Sequence, residues 1–188
     1  MKAGKSVLWA LLLWTTGCVT LPWVPAEALY TSQTKDYSVA LPKGWMRWNL
    51  DEDDDLLVTR DGTSLQSILI VRVHVDDKLR HTKKKLAKGM MPQEAAEVIL
   101  DNYGSDPNIF AFEVKENSPA SISGLRGFRA VYTYKTKDGL KMKGVFYGSM
   151  RGDVLYGIRY AAPQRHYFDR DMKTFERVLA SFKLAKAA

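Results

Sequence analysis

The chain has 188 residues, 46% of them apolar and 26% charged, with one cysteine and a formal charge of +7. Those proportions belong to an ordinary globular chain and exclude collagenous, low-complexity and polytopic membrane classes. One cysteine excludes an internal disulfide framework, and the modest basic excess reads as slight affinity for anionic envelope surfaces rather than nucleic-acid binding.

Lys2 and Lys5 precede the apolar stretch Val7–Trp14. That stretch falls short of the roughly 20 apolar residues a membrane span needs, and the order charged, apolar, small marks an export signal. Thr15-Thr16-Gly17-Cys18 resembles the lipobox of bacterial lipoproteins, in which the cysteine sulfur receives a diacylglyceryl group and becomes the mature N-terminus; Thr15 stands where that pattern prefers an aliphatic residue. A rival site is Ala26-Glu27-Ala28, behind Pro22 and Pro25, where cleavage would release a soluble periplasmic protein beginning at Leu29. The lipobox is preferred, because a lone cysteine in an exported chain suits tethering and cannot form an internal bridge. Val19, in place of Asp, points to the outer membrane. The expected organisation is an export signal over 1–18, a linker over 19–34 and a single domain over 35–185. With Lys2 and Lys5 removed, the charge of +7 falls to +5. A domain of that size buries close to 70% of its unfolded surface and needs no staple.

Structure is expected to begin at Asp36–Leu41, where Tyr37, Val39 and Leu41 alternate with polar or small residues. Pro42-Lys43-Gly44 turns the chain into a short extended piece, Trp45–Trp48, and Asp51–Asp55 is a charged loop. Leu56–Arg60 and Leu65–Val75 read as strands around Asp61-Gly62. On the second, Leu69, Val71 and Val73 share one face; Ile68, Ile70, Arg72 and His74 share the other, which turns from apolar to polar along its length. Residues 76–90 form a basic connection containing Lys78, Arg80, Lys83, Lys84, Lys85 and Lys88. Pro92 suits the first turn of a helix that ends at Gly104. Extended segments are expected at Phe110–Lys115, Ala120–Ser123, Phe128–Lys135, Lys141–Met150 and Val154–Ala161, with turns at Asp138-Gly139 and Arg151-Gly152-Asp153. After Pro163, the spacing of Phe168, Met172, Phe175, Val178, Leu179 and Phe182 makes an apolar stripe of helical period. Strands joined by short hairpins and covered by two separated helices give an α+β class with a mainly antiparallel sheet.

This order resembles the PsbP-like fold family, named for an extrinsic protein of the photosynthetic oxygen-evolving complex and including a Ran-binding import factor and DcrB-like exported bacterial lipoproteins. Tyr37-Ser38-Val39-Ala40-Leu41-Pro42-Lys43-Gly44-Trp45, Leu155–Pro163 and Phe175–Phe182 carry the likeness. The resemblance implies an α/β/α sandwich and an accessory, binding or assembly role rather than an enzymatic one. It transfers no functional residue, since fold does not fix function.

Candidate sites are few. Asp51, Asp53 and Asp55 are weak metal candidates, because consecutive carboxylates diverge and the spaced ligands and central glycine of a calcium loop are missing. Arg72 and His74, at the polar end of their strand, and Lys83, Lys84 and Lys85 are weak partner-binding candidates. Trp45, Trp48, Tyr147 and Tyr156 are weighed as groove-lining aromatics against ordinary packing, which is favoured. His74, His81 and His166 lack metal-ligand spacing. Neither a nucleophile elbow nor a His-Glu-x-x-His motif nor a phosphate loop is present. The expected role is therefore a lipid-anchored, non-enzymatic binding or assembly domain of the envelope, without cofactor, acting on an unidentified envelope protein. The alternatives are an envelope hydrolase whose site assembles in space and a metal or small-ligand carrier.

Overall fold

The computed structural model describes residues 22–49 and 55–185. In chain order its elements are β1 (Trp23–Pro25), β2 (Leu29–Thr31), β3 (Tyr37–Ala40), β4 (Met46–Trp48), β5 (Leu56–Thr59), β6 (Ser67–His74), α1 (Pro92–Gly104), β7 (Phe110–Ile122), β8 (Leu125–Lys135), β9 (Lys141–Arg151), β10 (Val154–Pro163), α2 (Tyr167–Ser181) and β11 (Lys183–Leu184). Eight strands form an antiparallel sheet in the order β1-β4-β5-β6-β10-β9-β8-β7, and β11-β3-β2 form a small second sheet.

Alternation along β10 explains why both faces of the large sheet are covered. Tyr156, Ile158 and Tyr160 project into one core, with Ile68 and Ile70 of β6 beside them and Phe168, Phe175, Val178 and Phe182 of the closing helical segment above. Leu155 projects into the other, with Phe128, Ala130, Tyr132 and Phe146 beneath Ala95, Ala96, Val98 and Ile99 of α1. Helices on both faces of an antiparallel sheet make the expected α/β/α sandwich. The stripe predicted for α2 is the buried one; at about 1.5–3 kcal/mol per large apolar side chain, Phe168, Phe175 and Val178 make that helix a principal clamp.

α1 spans the residues the sequence assigns to it. Its Met91 N–H donates to the Glu94 carboxylate at 2.8 Å, satisfying a donor at the helix entrance. The hairpin turns at Gly139 and Gly152 have positive φ, as tight turns between strands require.

Two expectations need correction. Residues 19–34 are not all linker: β1 pairs with β4, Trp23 opposite Trp48, and β2 pairs with β3, Tyr30 opposite Val39. Each is three residues long, too short for alternation to register. Phe110–Lys115 and Ala120–Ser123 are not separate either; β7 runs through Pro119 from Phe110 to Ile122, with irregularities between Phe110 and Glu113 and between Val114 and Glu116. β7 is the sheet edge, where a residue without an N–H removes no ladder bond.

Candidate functional site

α1 lies across β7, β8 and β9. The same face of β6 is left to the connection at 76–90, and this division opens a cleft. The connection is pinned at several points. The Asp77 carboxylate accepts the His74 N–H at 2.6 Å. The His81 N–H donates to Asn102 Oδ1 at 2.9 Å, Thr82 donates to the Asp101 carboxylate, and Lys84 Nζ lies 3.0 Å from Asp101. The Thr82 hydroxyl, with Lys84 beside it, holds the Asp101 carboxyl below the usual carboxylate range. Leu86 is buried and Leu79 packs against the α1-side core, so the two leucines seat the basic segment on the helix.

Between this segment and β6 lies a cleft of about 620 Å³, floored by Leu69, Val71, Val73, Ile99, Tyr103 and Phe146. Leu69, Val71 and Val73 are only half-buried, which marks this stretch of sheet as the part no helix covers. Gly157 makes the floor possible: a Cβ there would sit 2.3 Å from the Phe146 ring and 2.9 Å from Val71. Lys78 and Arg80 stand exposed at the rim. Neither pairs with a carboxylate among the described residues. The rim acids are engaged: Asp77 with the His74 N–H, Asp106 with the Asn108 N–H at 2.8 Å and with His81 at 3.6 Å, and Asp55 with a partner of its own.

Beside the floor, Arg159 of β10 pairs in register with Leu69 and Phe146, and its guanidinium lies 5.2 Å from the Tyr103 ring centre. No carboxylate lies within ion-pairing distance of it among the described residues. Burial pushes the neighbouring Tyr132 phenol far up, against the opposing charge of Arg159. Chemically the cleft sets half-buried aliphatic side chains beneath a rim of mixed charge, with Arg72, Lys78 and Arg80 matched in number by Asp55, Asp77 and Asp106. Among the described residues no serine, threonine or cysteine lines it beside His81.

The candidate residues named from the sequence scatter. Arg72 Nε is 2.5 Å from Asp36 Oδ2 and is not a presented surface cation. Asp36 also receives Tyr156 Oη at 2.8 Å, Ser32 Oγ at 2.7 Å and Thr34 Oγ1 at 2.8 Å. Burial would raise that carboxyl, yet these donors and Arg72 hold it below its ordinary value. His74 is exposed and caps the turn after β6, its Nδ1 accepting the Asp76 N–H at 3.3 Å. Lys84 is tied to Asp101, while Lys83 and Lys85 are exposed. Asp51 and Asp53 lie outside the described residues, and Asp55 sits at the cleft edge. Trp45 and Tyr156 are core residues, Trp48 packs edge-on against Trp23 at 5.0 Å, and Tyr147 packs on Phe175, so the four aromatics line no common groove. No cluster of three metal-ligating side chains occurs among the described residues, and no described helix is long and apolar enough to cross a membrane.

No protein-family model and no curated protein sequence matches the chain. Solved structures do. The cyanobacterial PsbP of Synechocystis sp. PCC 6803 superposes with a TM-score of 0.59 at 12% identity, over 92% of this chain and 99% of that one. The Ran-binding protein Mog1p of Saccharomyces cerevisiae gives 0.56 at 10% identity, over 86% and 96%. LpqN of Mycobacterium tuberculosis, described as involved in cell envelope biogenesis, gives 0.53 at 13% identity, over 80% and 83%. At such identities the likeness shows the fold. The chain has the PsbP-like fold.

Proposed function

We propose that this chain is an exported, non-enzymatic binding domain of the cell envelope, tethered through a lipid on Cys18 and presenting the cleft beside β6 to its ligand. The observation that carries the reading is β1. The Pro22 carbonyl accepts the Asn49 N–H at 2.8 Å, and the Ala26 N–H donates to the Trp45 carbonyl at 2.9 Å, so this stretch is built into the sheet. Cleavage after Ala28 would delete this strand and strip Trp48 of its partner. Processing at Cys18 leaves the strand intact, with Val19-Thr20-Leu21 between Cys18 and Pro22 in the sequence. The folded part thus supports the upstream site over the downstream one. A PsbP-like neighbour described as an envelope-biogenesis protein supports the compartment, and a cleft with no serine, threonine or cysteine beside His81 among the described residues supports binding over hydrolysis.

Intact mass spectrometry of the protein isolated from its own host tests the reading. A chain beginning at Cys18 and carrying a thioether-linked diacylglyceryl group is expected. A mature chain beginning at Leu29, or one retaining Met1, refutes the tether.

A further inference from the structure

We infer that a second concavity, on the α2 side of the sheet, is a binding site for the phosphate dianion of a phosphomonoester, held by Lys43, Arg60 and Arg177. It is separate from the β6 cleft and depends neither on that cleft nor on the tether.

Asp171, Thr174 and Val178 recur at three- and four-residue spacing on one face of α2. Across a pocket of about 460 Å³ they meet the turn between β3 and β4 and Arg60 at the end of β5. Leu41, Trp45 and Val178 are buried and form its wall, while Lys43, Arg60 and Arg177 are exposed around it, so what the pocket presents is charge. That charge is unbalanced. The lining has three cations against one carboxylate, Asp171, which leaves an excess of two positive charges. Asp171 is itself buried and engaged: Arg170 Nε donates to its Oδ2 at 2.9 Å, Gln66 Nε2 donates to the same oxygen at 3.3 Å, and Arg60 lies 3.7 Å from Oδ1. Lys43 and Arg177 form no ion pair among the described residues.

The cations are also placed, which lowers the cost of ordering them around a ligand. The Trp45 N–H donates to the Pro42 carbonyl at 3.3 Å and Gly44 has a φ of 79°, the marks of a type II turn with Lys43 at its corner. Arg60 is drawn towards Asp171. The Arg177 guanidinium donates to Thr174 Oγ1 at 3.0 Å, and the Thr174 hydroxyl keeps its own proton to donate. A planar monocarboxylate is satisfied by one guanidinium and would leave the remaining excess charge uncovered. A phosphomonoester, with its second ionisation near pH 6, carries close to two negative charges at neutral pH. Its three terminal oxygens can accept from the turn, the strand end and the helix together.

The test is calorimetric titration of the full protein, purified in mild detergent and phosphate-free buffer, with glycerol 3-phosphate, with dihexanoyl phosphatidic acid and with lactate. A phosphomonoester is expected to give saturable heat at one site per chain, and lactate to bind at least about tenfold more weakly. Tighter binding of glycerol 3-phosphate assigns a soluble ligand and tighter binding of the phosphatidic acid a lipid headgroup; both support the site. Arg177→Gln and Lys43→Glu, each at an exposed position, are expected to weaken binding about tenfold with an unaltered circular dichroism spectrum. Lys43 lies in a turn, so its variant carries the test even where the helix variant fails to fold. Lys137→Gln/Lys141→Gln, which removes two exposed charges at the β8–β9 hairpin, is expected to bind as the wild type does. Absence of saturable heat from both phosphate probes overturns the inference, as does lactate binding as tightly as glycerol 3-phosphate. Affinity indifferent to Lys43→Glu and Arg177→Gln also overturns it. So does an equal loss in the hairpin variant, which reduces the effect to the overall charge of the chain.

Discussion

Asp36 shows how one carboxylate can fix a junction. Ser32, Thr34, Tyr156 and Arg72 all converge on it from the β2–β3 turn and from two strands of the large sheet. Asp36→Asn removes the negative charge opposite Arg72 and one of the two oxygens on which these donors converge, so it should cost about 1–3 kcal/mol at neutral pH. Its folded pKa is depressed below the ordinary value of 3.8. The stabilisation is therefore complete above the unfolded pKa of about 3.9 and is lost as pH falls through the lower folded value. The gap between wild type and Asp36→Asn in urea denaturation should close only in strong acid; a gap that is constant from neutral pH downwards would refute the assignment. Arg159 makes the opposite case. It has no carboxylate to strand among the described residues; its contacts are with the Tyr103 ring face and the neighbouring phenols of Tyr103 and Tyr132. Arg159→Met should thus change stability by less than about 1.5 kcal/mol. A loss of several kcal/mol in the same urea titration would mean that the guanidinium anchors the tyrosine cluster.

At the scale of elements, the decisive ones are short. β1 contributes a ladder to β4 and the Trp23–Trp48 edge contact at 5.0 Å. A chain starting at Leu29 should be less stable than one starting at Val19 by about 2–3 kcal/mol, from half-burial of Trp23 and the aromatic pair. Equal urea midpoints would remove β1 from the argument for the upstream processing site. Gly157→Ala places a methyl against Phe146 and Val71 at the cleft floor, which should cost about 1–3 kcal/mol by overpacking. The long elements were legible because their periods are strong: α1, the α2 stripe and the hairpins from β8 to β10 follow directly from spacing and turn residues. β1 and β2 were hidden, since three-residue strands carry no period and draw their stability from Trp48 and Val39, both met only after folding. The cleft was half visible. Leu69, Val71 and Val73 could be placed on one face from alternation alone, and Leu79 and Leu86 inside the basic run were the available sign that it is seated rather than loose. That α1 would stop short of β6, and that Arg72 would reach back to Asp36, are facts of tertiary arrangement with no local signature.

Across the whole molecule, the sheet has two chemically different ends. One gathers the entrance to β1, the His74 end of β6, Lys88 beside Asp153 and the turn at Gly152, since Val154 lies opposite His74. The other gathers Asp61-Gly62, the turn at Gly139 and the entrance to α2, since Pro163 lies opposite Met142. From Cys18 to Pro22 the chain can reach at most about 14 Å, at roughly 3.5 Å per residue. A lipid on Cys18, as proposed, would hold the first end against the bilayer and the second away from it. Two exposed histidines report on the ends independently: His74 at the first and His166 at the entrance to α2. Diethylpyrocarbonate should modify His74 several-fold more slowly in proteoliposomes than in detergent, and His166 equally in both. Slowing of both, or of neither, would mean that the tether does not orient the domain.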